Sequence, residues 1–274
     1  LKISVDHLLD KGVGKMNEDA IFIGDTKFGV FDGASSLDGY IDEEGRTGGY
    51  LAANIAKETF AGSNTDIVTT ALEANRKIGN AMTAKSIDIS RKESTWCSTM
   101  AVVDIDATNK RFEWAQIADA LILVIKKDGT HQVLIRDDYD HDRDIMILWK
   151  EMADNRIDEI RLKLQNHLVE LRRTANVKYG VLNGDPNAAN FLRKGSESLE
   201  GVAHILLFTD GMIPPKTDPT ALDDFSELVK WYLEGGLSNV RNHIREIEES
   251  DPNCWRYPRF KKSDDIGAIA INFE

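Results

Sequence analysis

Short apolar runs recur along the chain with the spacing that β-strands require. Val30 and Phe31, for example, lie in a run that is apolar on both faces of an extended chain. A strand buried on both faces needs cover on both sides, and two stacked antiparallel sheets with helices outside provide it. The runs predict strands at residues 20–24, 27–32, 97–105, 112–117, 120–126, 203–209 and 266–273,.

Apolar residues at helical spacing fill many of the stretches between these strands. Asn64 is a candidate N-cap for the second helix, and Thr217 with Asp218 before Pro219 is a candidate start for the fifth. The stretch 144–175 predicts either one long helix or a hairpin of two. The helices are predicted at 48–60, 64–85, 144–175, 186–194, 219–234 and 237–249,.

Strands and helices are interleaved from end to end, without an internal repeat or a Pro/Ser-rich linker. This organisation predicts one α+β domain over residues 1–274. Because several strands are apolar on both faces, the predicted architecture is a four-layer α/β/β/α sandwich of two mainly antiparallel sheets flanked by helices.

The first two predicted strands carry acidic residues at one end. If Asp25 and Thr26 form the loop of a hairpin, Asp19 lies directly opposite Asp32, whereas a longer loop slides the register by one residue. In either case Glu18 and Asp19 end near Asp32. Carboxylates that face each other so closely are destabilising unless a cation lies between them. Hard divalent cations such as Mg²⁺ and Mn²⁺ prefer oxygen ligands of this kind.

The same pattern of an acid at a strand end recurs three times. Asp210 and Gly211 follow a strongly apolar strand, Asp264 and Asp265 precede the last strand, and Asp119 lies in the short gap between two strands. A single Asp-Gly after an apolar run is more often a turn than a metal site. Four strand ends with acids, if they meet in space, predict a site for more than one metal ion.

The composition and net charge of the chain limit the classes of partner that it is expected to bind. The chain has 34 Lys and Arg against 46 Asp and Glu, which leaves a net charge of −12. Such a surface repels nucleic acid and anionic lipid, so we expect neither as a partner. No apolar stretch approaches the roughly 18 residues that span a membrane. Two cysteines are too few for a disulfide scaffold, which favours a reducing cytoplasm,. We favour a monomer.

Five segments of the chain are similar, in order, to the motifs of one enzyme family. They are NEDA…FGVFDG, STMAVVDI, QIADALILV, LLFTDGM and DDIGAIAI. These segments resemble the motifs of the type 2C metal-dependent Ser/Thr protein phosphatase family, in particular its bacterial members. The resemblance implies a β-sandwich flanked by helices, with a two-metal centre at one end. It also implies two Mn²⁺ or Mg²⁺ ions, a third ion in some members, and hydrolysis of phosphoserine or phosphothreonine on proteins by a metal-activated water.

The resemblance assigns metal ligands position by position. Asp32 matches the aspartate that bridges the two metals, and Gly33 matches the glycine whose carbonyl oxygen joins the second metal. Asp210 and Asp264 match the remaining carboxylates of the first metal. Glu18 matches the acid that holds the second metal.

Three further acids receive roles from the same resemblance. Asp19 is expected to orient or ligate the attacking water, which makes it a catalytic residue. Asp119 lies where some members bind a third, weaker metal, and Asp265 is not expected to be a primary ligand. Two neighbouring cations lower the pKa of a water and neutralise charge on the phosphoryl oxygens. The chemistry therefore needs no covalent nucleophile and no further cofactor-binding residue.

The chain departs from the family pattern at several positions. The arginine that commonly holds the substrate phosphate is replaced by Gly14, with Lys15 next to it as a candidate phosphate-binding cation,. A histidine proposed as a general acid is replaced by Ala34, and a glycine beside the third-metal acid by Ala118. Residues 135–200 form a predicted helical insertion. These departures leave open a catalytically weak or inactive binding module, or a hydrolase of small phosphoesters.

The segment WRYPRFKK, residues 255–262, is a local patch of basic and aromatic residues just before Asp264. One interpretation is that it contacts a phosphopeptide, because it immediately precedes an acid of the predicted centre. The alternative is a surface loop that packs Trp255 and Tyr257 against the body of the protein. The pattern alone does not decide between them.

Overall fold

Two stacked antiparallel sheets form the centre of the molecule in a computed structural model that describes residues 2–135 and 140–274. One sheet has the strand order β1-β11-β10-β7-β8, and the other has the order β2-β3-β5-β6-β9, with β4 paired to β3. The strands are β1 (Ile3–Asp10), β2 (Asp19–Ile23), β3 (Lys27–Ala34), β4 (Cys97–Ser98), β5 (Met100–Asp106), β6 (Arg111–Ile117), β7 (Leu121–Lys126), β8 (His131–Val133), β9 (Arg193–Ser198), β10 (Val202–Phe208) and β11 (Ile266–Phe273).

Helices cover the outer face of each sheet. Helices α1 and α2 pack on the sheet that contains β3 and β5, and α6 packs on the sheet that contains β10 and β11. None of the described helices combines the length and apolar character that a membrane span requires. The helices are α1 (Gly48–Ala61), α2 (Ile67–Ala84), α3 (Arg143–Asp154), α4 (Ile160–Lys163), α5 (Gln165–Arg173) and α6 (Ser226–Ser250).

The central core lies between the two sheets. Val30 of β3 and Ile269 of β11 are fully buried in it. On the other face of β3, Phe31 packs against Phe60 of α1, with ring centroids 5.5 Å apart. The strands are therefore buried on both faces, and the predicted sandwich of two antiparallel sheets between helices is confirmed.

The first hairpin has the predicted register. Asp19 pairs with Asp32, and Ile23 pairs with Phe28. Gly24 N–H donates to the carbonyl oxygen of Lys27 at 2.8 Å, which closes the loop. The register places two acidic side chains directly opposite each other at one end of the hairpin.

The prediction of a helix at 186–194 is wrong. Residues Pro186–Asn190 form only a short 3₁₀ helix, and Arg193–Ser198 form β9. This strand pairs with β6 along the edge of the sheet. Backbone hydrogen bonding to an existing edge therefore outweighs the local helical pattern.

The break predicted between the helices at 219–234 and 237–249 is confirmed, because α6 consists of two helical segments separated at Gly235 and Gly236, where the backbone angles are not helical. Gly236 has a φ of 71°, which a glycine adopts without strain,. The start predicted at Pro219 is wrong, since Asp218 Oδ1 accepts from Thr220 N–H at 2.8 Å in a local turn and the helix begins at Ser226.

The N-cap predicted for the second helix is also wrong. Asp66 caps α2 in place of Asn64, because its side chain accepts hydrogen bonds from the backbone N–H groups of Val68 and Thr69,. Strands β1, β8 and β9 were not predicted. Strands β1 and β9 are largely exposed and β8 has only three residues, so none has the buried apolar run that marks the central strands.

The predicted insertion contains three helices where one helix or a hairpin of two was expected. Its residues 136–139 lie outside the described residues. Arg156 and Glu159 both have a φ of 56°, which ends the helical path between α3 and α4,. Trp149 of α3 is buried against Leu164 and Cys254, so the insertion has its own small core.

We predict that Ile269→Ala destabilises the protein strongly because it opens a cavity between the sheets. Ile269 is 0% exposed, whereas Ile23 is 42% exposed and serves as a matched control. The expected loss in the free energy of unfolding is about 2–5 kcal/mol for Ile269→Ala. For Ile23→Ala it is below about 1 kcal/mol. Urea denaturation measures both, and equal losses would contradict the placement of the core.

Candidate metal centre

Acidic side chains from four strand ends meet at one rim of the sandwich. Asp19 begins β2 and Asp32 lies near the end of β3. Asp210 follows β10, and Asp264 precedes β11. A Cβ atom built on Gly211 would lie 3.2 Å from the Cβ of Asp264. The end of β10 and the start of β11 are therefore side by side.

The two sheets also approach each other closely at this rim. A Cβ atom built on Gly267 of β11 would lie 3.3 Å from Asp19 Oδ2. Thr209 Oγ1, at the end of β10, donates to the same oxygen at 2.6 Å. Asp19 is only 5% exposed. These contacts join the hairpin acids of one sheet to the strand-end acids of the other.

A tight backbone contact holds Glu18 beside Gly33. Gly33 N–H donates to the carbonyl oxygen of Glu18 at 3.1 Å. A Cβ atom on Gly33 would lie 2.1 Å from the carbonyl oxygen of Gly49, so a side chain has no room there,. Ser35 Oγ donates to Glu18 Oε1 and accepts from Gly49 N–H. The carboxylate of Glu18 is thus oriented by its neighbours.

Asp265 ties the loop before β2 to the start of β11. One carboxylate oxygen accepts from Gly12 N–H and the other from Glu18 N–H, each at 2.8 Å. Asp265 is 4% exposed. Its contacts support the position of Glu18, which is a structural role compatible with the expectation that it is not a primary ligand.

Burial and mutual repulsion raise the pKa values of the clustered acids. Desolvation raises the pKa of Asp32 well above its usual range, and the carboxylates of Asp19, Asp119 and Asp264 raise it further. Desolvation likewise raises the pKa of Asp210, with Asp264, Asp32 and Asp119 adding to it. The pKa of Asp19 rises for the same reasons, although its hydrogen bond from Thr209 opposes the shift,.

Asp119 lies between β6 and β7 and faces the same cluster. Burial raises its pKa, which His141 partly counteracts. His141 Nδ1 is 3.9 Å from Asp119 Oδ2, and its ring stacks on Tyr179 with centroids 4.2 Å apart. Asp119 Oδ1 is buried and has no hydrogen-bond partner within the described part of the chain. Such an oxygen is suited to a cation.

The donor set fits hard divalent cations by its chemistry. Carboxylate oxygens and the carbonyl of Gly33 are ligands that Mg²⁺ and Mn²⁺ accept. The raised pKa values and the unpartnered oxygen of Asp119 show that the site has an excess of negative charge. Across residues 2–135 and 140–274, however, no group of three or more His, Cys, Asp or Glu side chains has an arrangement that could hold a metal ion.

A cleft of about 180 Å³ opens beside the cluster. Lys261, from the basic and aromatic segment, lies on its wall with Nζ 2.5 Å from Asp264 Oδ1. Desolvation opposes its charge, but Asp264, Asp210 and Asp32 raise the pKa of Lys261 overall. Other wall residues are Asp119, Asp210, Met146, Ile213, Pro214, Pro215, Lys216 and Phe260.

Two residues at this site were not found by sequence reasoning. The segment that holds Lys261 was identified without singling out that lysine, and no functional role was predicted for His141. Lys15 is exposed in the loop between β1 and β2, and its ammonium group makes no ion pair or hydrogen bond to any described residue. Of Lys15 and Lys261, only Lys261 contacts a carboxylate of the cluster among the described residues.

The molecule thus combines two stacked antiparallel sheets between helices with buried carboxylates at one rim. Residues 11–240 match the family model described as Protein phosphatase 2C. The chain therefore belongs to the protein phosphatase 2C family. A search of curated proteins finds no match to it.

Solved bacterial phosphatases share the fold at low sequence identity. The serine/threonine phosphatase PstP/Ppp of Mycobacterium tuberculosis is 15% identical, with 100% of both chains covered and a TM-score of 0.58. Stp1 of Staphylococcus aureus is 14% identical over 100% of this chain and 96% of its own, with a TM-score of 0.62. The PstP catalytic domain in complex with two manganese ions is 13% identical over 99% and 97%, with a TM-score of 0.56.

We predict that the metal-free protein loses stability as pH rises. Folding raises the pKa of Asp32 and Asp210, so their stabilising contribution is complete below the unfolded pKa of about 3.9,. It is lost as pH rises through the raised values in the folded state. Asp32→Asn removes one of these charges, so its free energy of unfolding should decrease less as pH rises. The variant should be about 0.5–2 kcal/mol more stable than wild type at neutral pH.

Urea denaturation in the presence of a chelator, repeated from pH 4 to pH 8, measures this difference. Asp25→Asn is the matched control, because Asp25 is exposed at the opposite end of the same hairpin. Parallel stability profiles for wild type and Asp32→Asn would show that the carboxylates do not repel one another.

Proposed function

We propose that the protein is a metal-dependent phosphatase that hydrolyses phosphoserine and phosphothreonine on proteins. The observation that carries this proposal is the gathering of Asp19, Asp32, Asp210 and Asp264 from four strand ends at one buried rim. Membership of the protein phosphatase 2C family supports the reaction class. Similar solved structures are those of serine/threonine phosphatases, which supports the substrate class.

The residues that would hold two Mn²⁺ or Mg²⁺ ions are those at the rim. Asp32 is central, since carboxylates from both sheets, Asp19 and Asp264, raise its pKa. Asp210 and Asp264 are the candidates for one ion, and Glu18 with the carbonyl of Gly33 for the other. Asp119, with its unpartnered oxygen, is the candidate for a third. When bound, the ions would neutralise charge on the phosphoryl group and activate a water.

The chain's own residues prepare the site for this reaction. The hydrogen bond from Thr209 fixes one oxygen of Asp19, which is proposed to orient the attacking water. Ser35 fixes an oxygen of Glu18, and Asp265 holds the backbone of Glu18. Asp19 and Glu18 are therefore held by fixed partners, and such prior orientation of the reacting groups favours catalysis.

The remaining parts of the proposal concern partners and location. We further predict that the substrate is a phosphoprotein, that the protein is a monomer and that it is located in the cytoplasm. The net charge of −12 supports the exclusion of nucleic acid and of anionic membranes as partners,. Lys15 remains a candidate for binding phosphate from the exposed loop.

Hydrolysis of an aryl phosphate tests the reaction. We expect turnover with Mn²⁺, none with a chelator, and losses of at least about 100-fold in Asp32→Asn and Asp210→Asn, since even supporting residues of metal sites contribute 10- to 100-fold. Asp25→Asn should keep wild-type activity. Turnover that survives both the chelator and the two substitutions would contradict the proposal.

A panel of phosphopeptides and small phosphoesters then separates the alternatives. A protein phosphatase should have a higher kcat/KM for phosphoserine and phosphothreonine peptides than for sugar or nucleotide monophosphates. The opposite preference would indicate a hydrolase of small phosphoesters. Metal binding without turnover of any substrate would indicate a binding module, which Ala34 and Ala118 favour.

A further inference from the structure

A guanidinium group from the insertion lies against the end of β3, next to the candidate metal ligands. Arg172 of α5 donates from Nη2 to the carbonyl oxygen of Ser35 at 3.3 Å and from Nη1 to Cys97 Sγ at 3.2 Å. Cys97 pairs with Ala34 in the β3–β4 ladder. The guanidinium therefore lies beside the two residues that follow Gly33 in the chain.

The end of α5 is held in this position by packing. Leu171 packs against a buried cluster that contains Cys97, Ala118 and Tyr179. Ala118 directly precedes Asp119, so this cluster lies under another acid of the site. The position of Arg172 is thus set by neighbours on both sides.

The charge of Arg172 is not matched by any carboxylate in direct contact. Within the described ranges, no Asp or Glu oxygen lies within 4.0 Å of its guanidinium, although its neighbour Arg173 pairs with Glu93 and Glu170. Burial raises the pKa of the Cys97 thiol, so this partner is neutral at physiological pH,. A partly buried charge without an ionic partner is unfavourable for stability.

The charge and the free N–H groups of Arg172 indicate that it could bind an anionic ligand. Desolvation lowers the pKa of Arg172, but nearby groups, Asp32 among them, raise it overall, so the guanidinium stays charged. Its described hydrogen bonds use one hydrogen on each of Nη1 and Nη2, which leaves N–H groups for a further acceptor,. Arginine binds phosphate oxygens through two parallel hydrogen bonds.

We propose that Arg172 binds the phosphoryl oxygens of the substrate. This inference rests on the proposed phosphatase function and extends it, because it assigns the phosphate-binding role to the helical insertion in place of the loop that carries Gly14 and Lys15. The insertion then contributes directly to the proposed active site, because α5 places a guanidinium against Ser35 and Cys97 at the end of β3.

Inhibition by inorganic phosphate in the presence of Mn²⁺ tests this assignment. In Arg172→Met, the inhibition constant for phosphate and the KM for a phosphoserine peptide should each rise roughly 10- to 100-fold, as expected for the loss of charge-assisted hydrogen bonds. Arg172→Lys should show a smaller rise, because lysine keeps the charge but not the two-pronged geometry. The Mn²⁺ affinity should stay within about twofold of wild type, since Arg172 has no contact with a proposed ligand side chain.

Arg173→Met is the matched control. Arg173 is next in the same helix, and its ion pairs with Glu93 and Glu170 are exposed and contribute little,. Phosphate inhibition in Arg173→Met should equal that of wild type. Equal inhibition in Arg172→Met and Arg173→Met would overturn the assignment. So would a loss in Arg172→Met that is confined to Mn²⁺ affinity or thermal stability, with KM unchanged.

Two further measurements keep the test decisive. If Arg172→Met does not fold, Arg172→Lys decides, and an unchanged phosphate inhibition constant in that variant overturns the proposal. If the wild type hydrolyses no substrate, the proposed function fails, but binding of inorganic phosphate by calorimetry still tests the inference. Weaker phosphate binding in Arg172→Met than in Arg173→Met supports it, and equal binding rejects it.

Discussion

Repulsion among buried carboxylates is the constraint on which the rest of this structure depends. The backbone register of one hairpin places Asp19 opposite Asp32, and the ends of two strands in the other sheet bring Asp210 and Asp264 to the same rim. Such an arrangement destabilises the folded chain unless protons or cations compensate it. A protein that keeps it gains function at the expense of stability, and bound divalent cations would recover that stability through binding free energy.

The scaffold is built to resist this repulsion. The core between the sheets fixes the strands, so the acids cannot move apart without disrupting buried packing,. Arg245 adds a second support, because its Nη2 donates to Asp10 Oδ2 at 2.9 Å and to the carbonyl oxygen of Asp264 at 2.7 Å. The Asp264 backbone is therefore tied to β1 and α6. Asp265 holds the backbone of Glu18 in a similar way, because Asp265 Oδ2 accepts from Glu18 N–H.

The sequence predicted the central strands, the hairpin register and the acids at the rim, because two-faced apolar strands and paired acids are local patterns that survive folding. It did not predict β9, which depends on pairing with β6, and it left open whether 144–175 forms one helix or two, because the break between α3 and α4 depends on the positive φ angles of Arg156 and Glu159. Arg172 and Lys261 were missed for another reason: their proximity to the rim comes from segments far apart in the chain, which no single-sequence pattern reveals.

Diffraction from crystals grown with Mn²⁺, recorded at the manganese absorption edge, tests the central claim most directly. The account predicts two anomalous peaks at the rim, both in contact with Asp32, with one also bound by Asp210 and Asp264 and the other held by Glu18 and the carbonyl of Gly33. Manganese bound away from these residues, or no peak at the rim when the crystals diffract well, would contradict the claim that the carboxylates gather to bind cations.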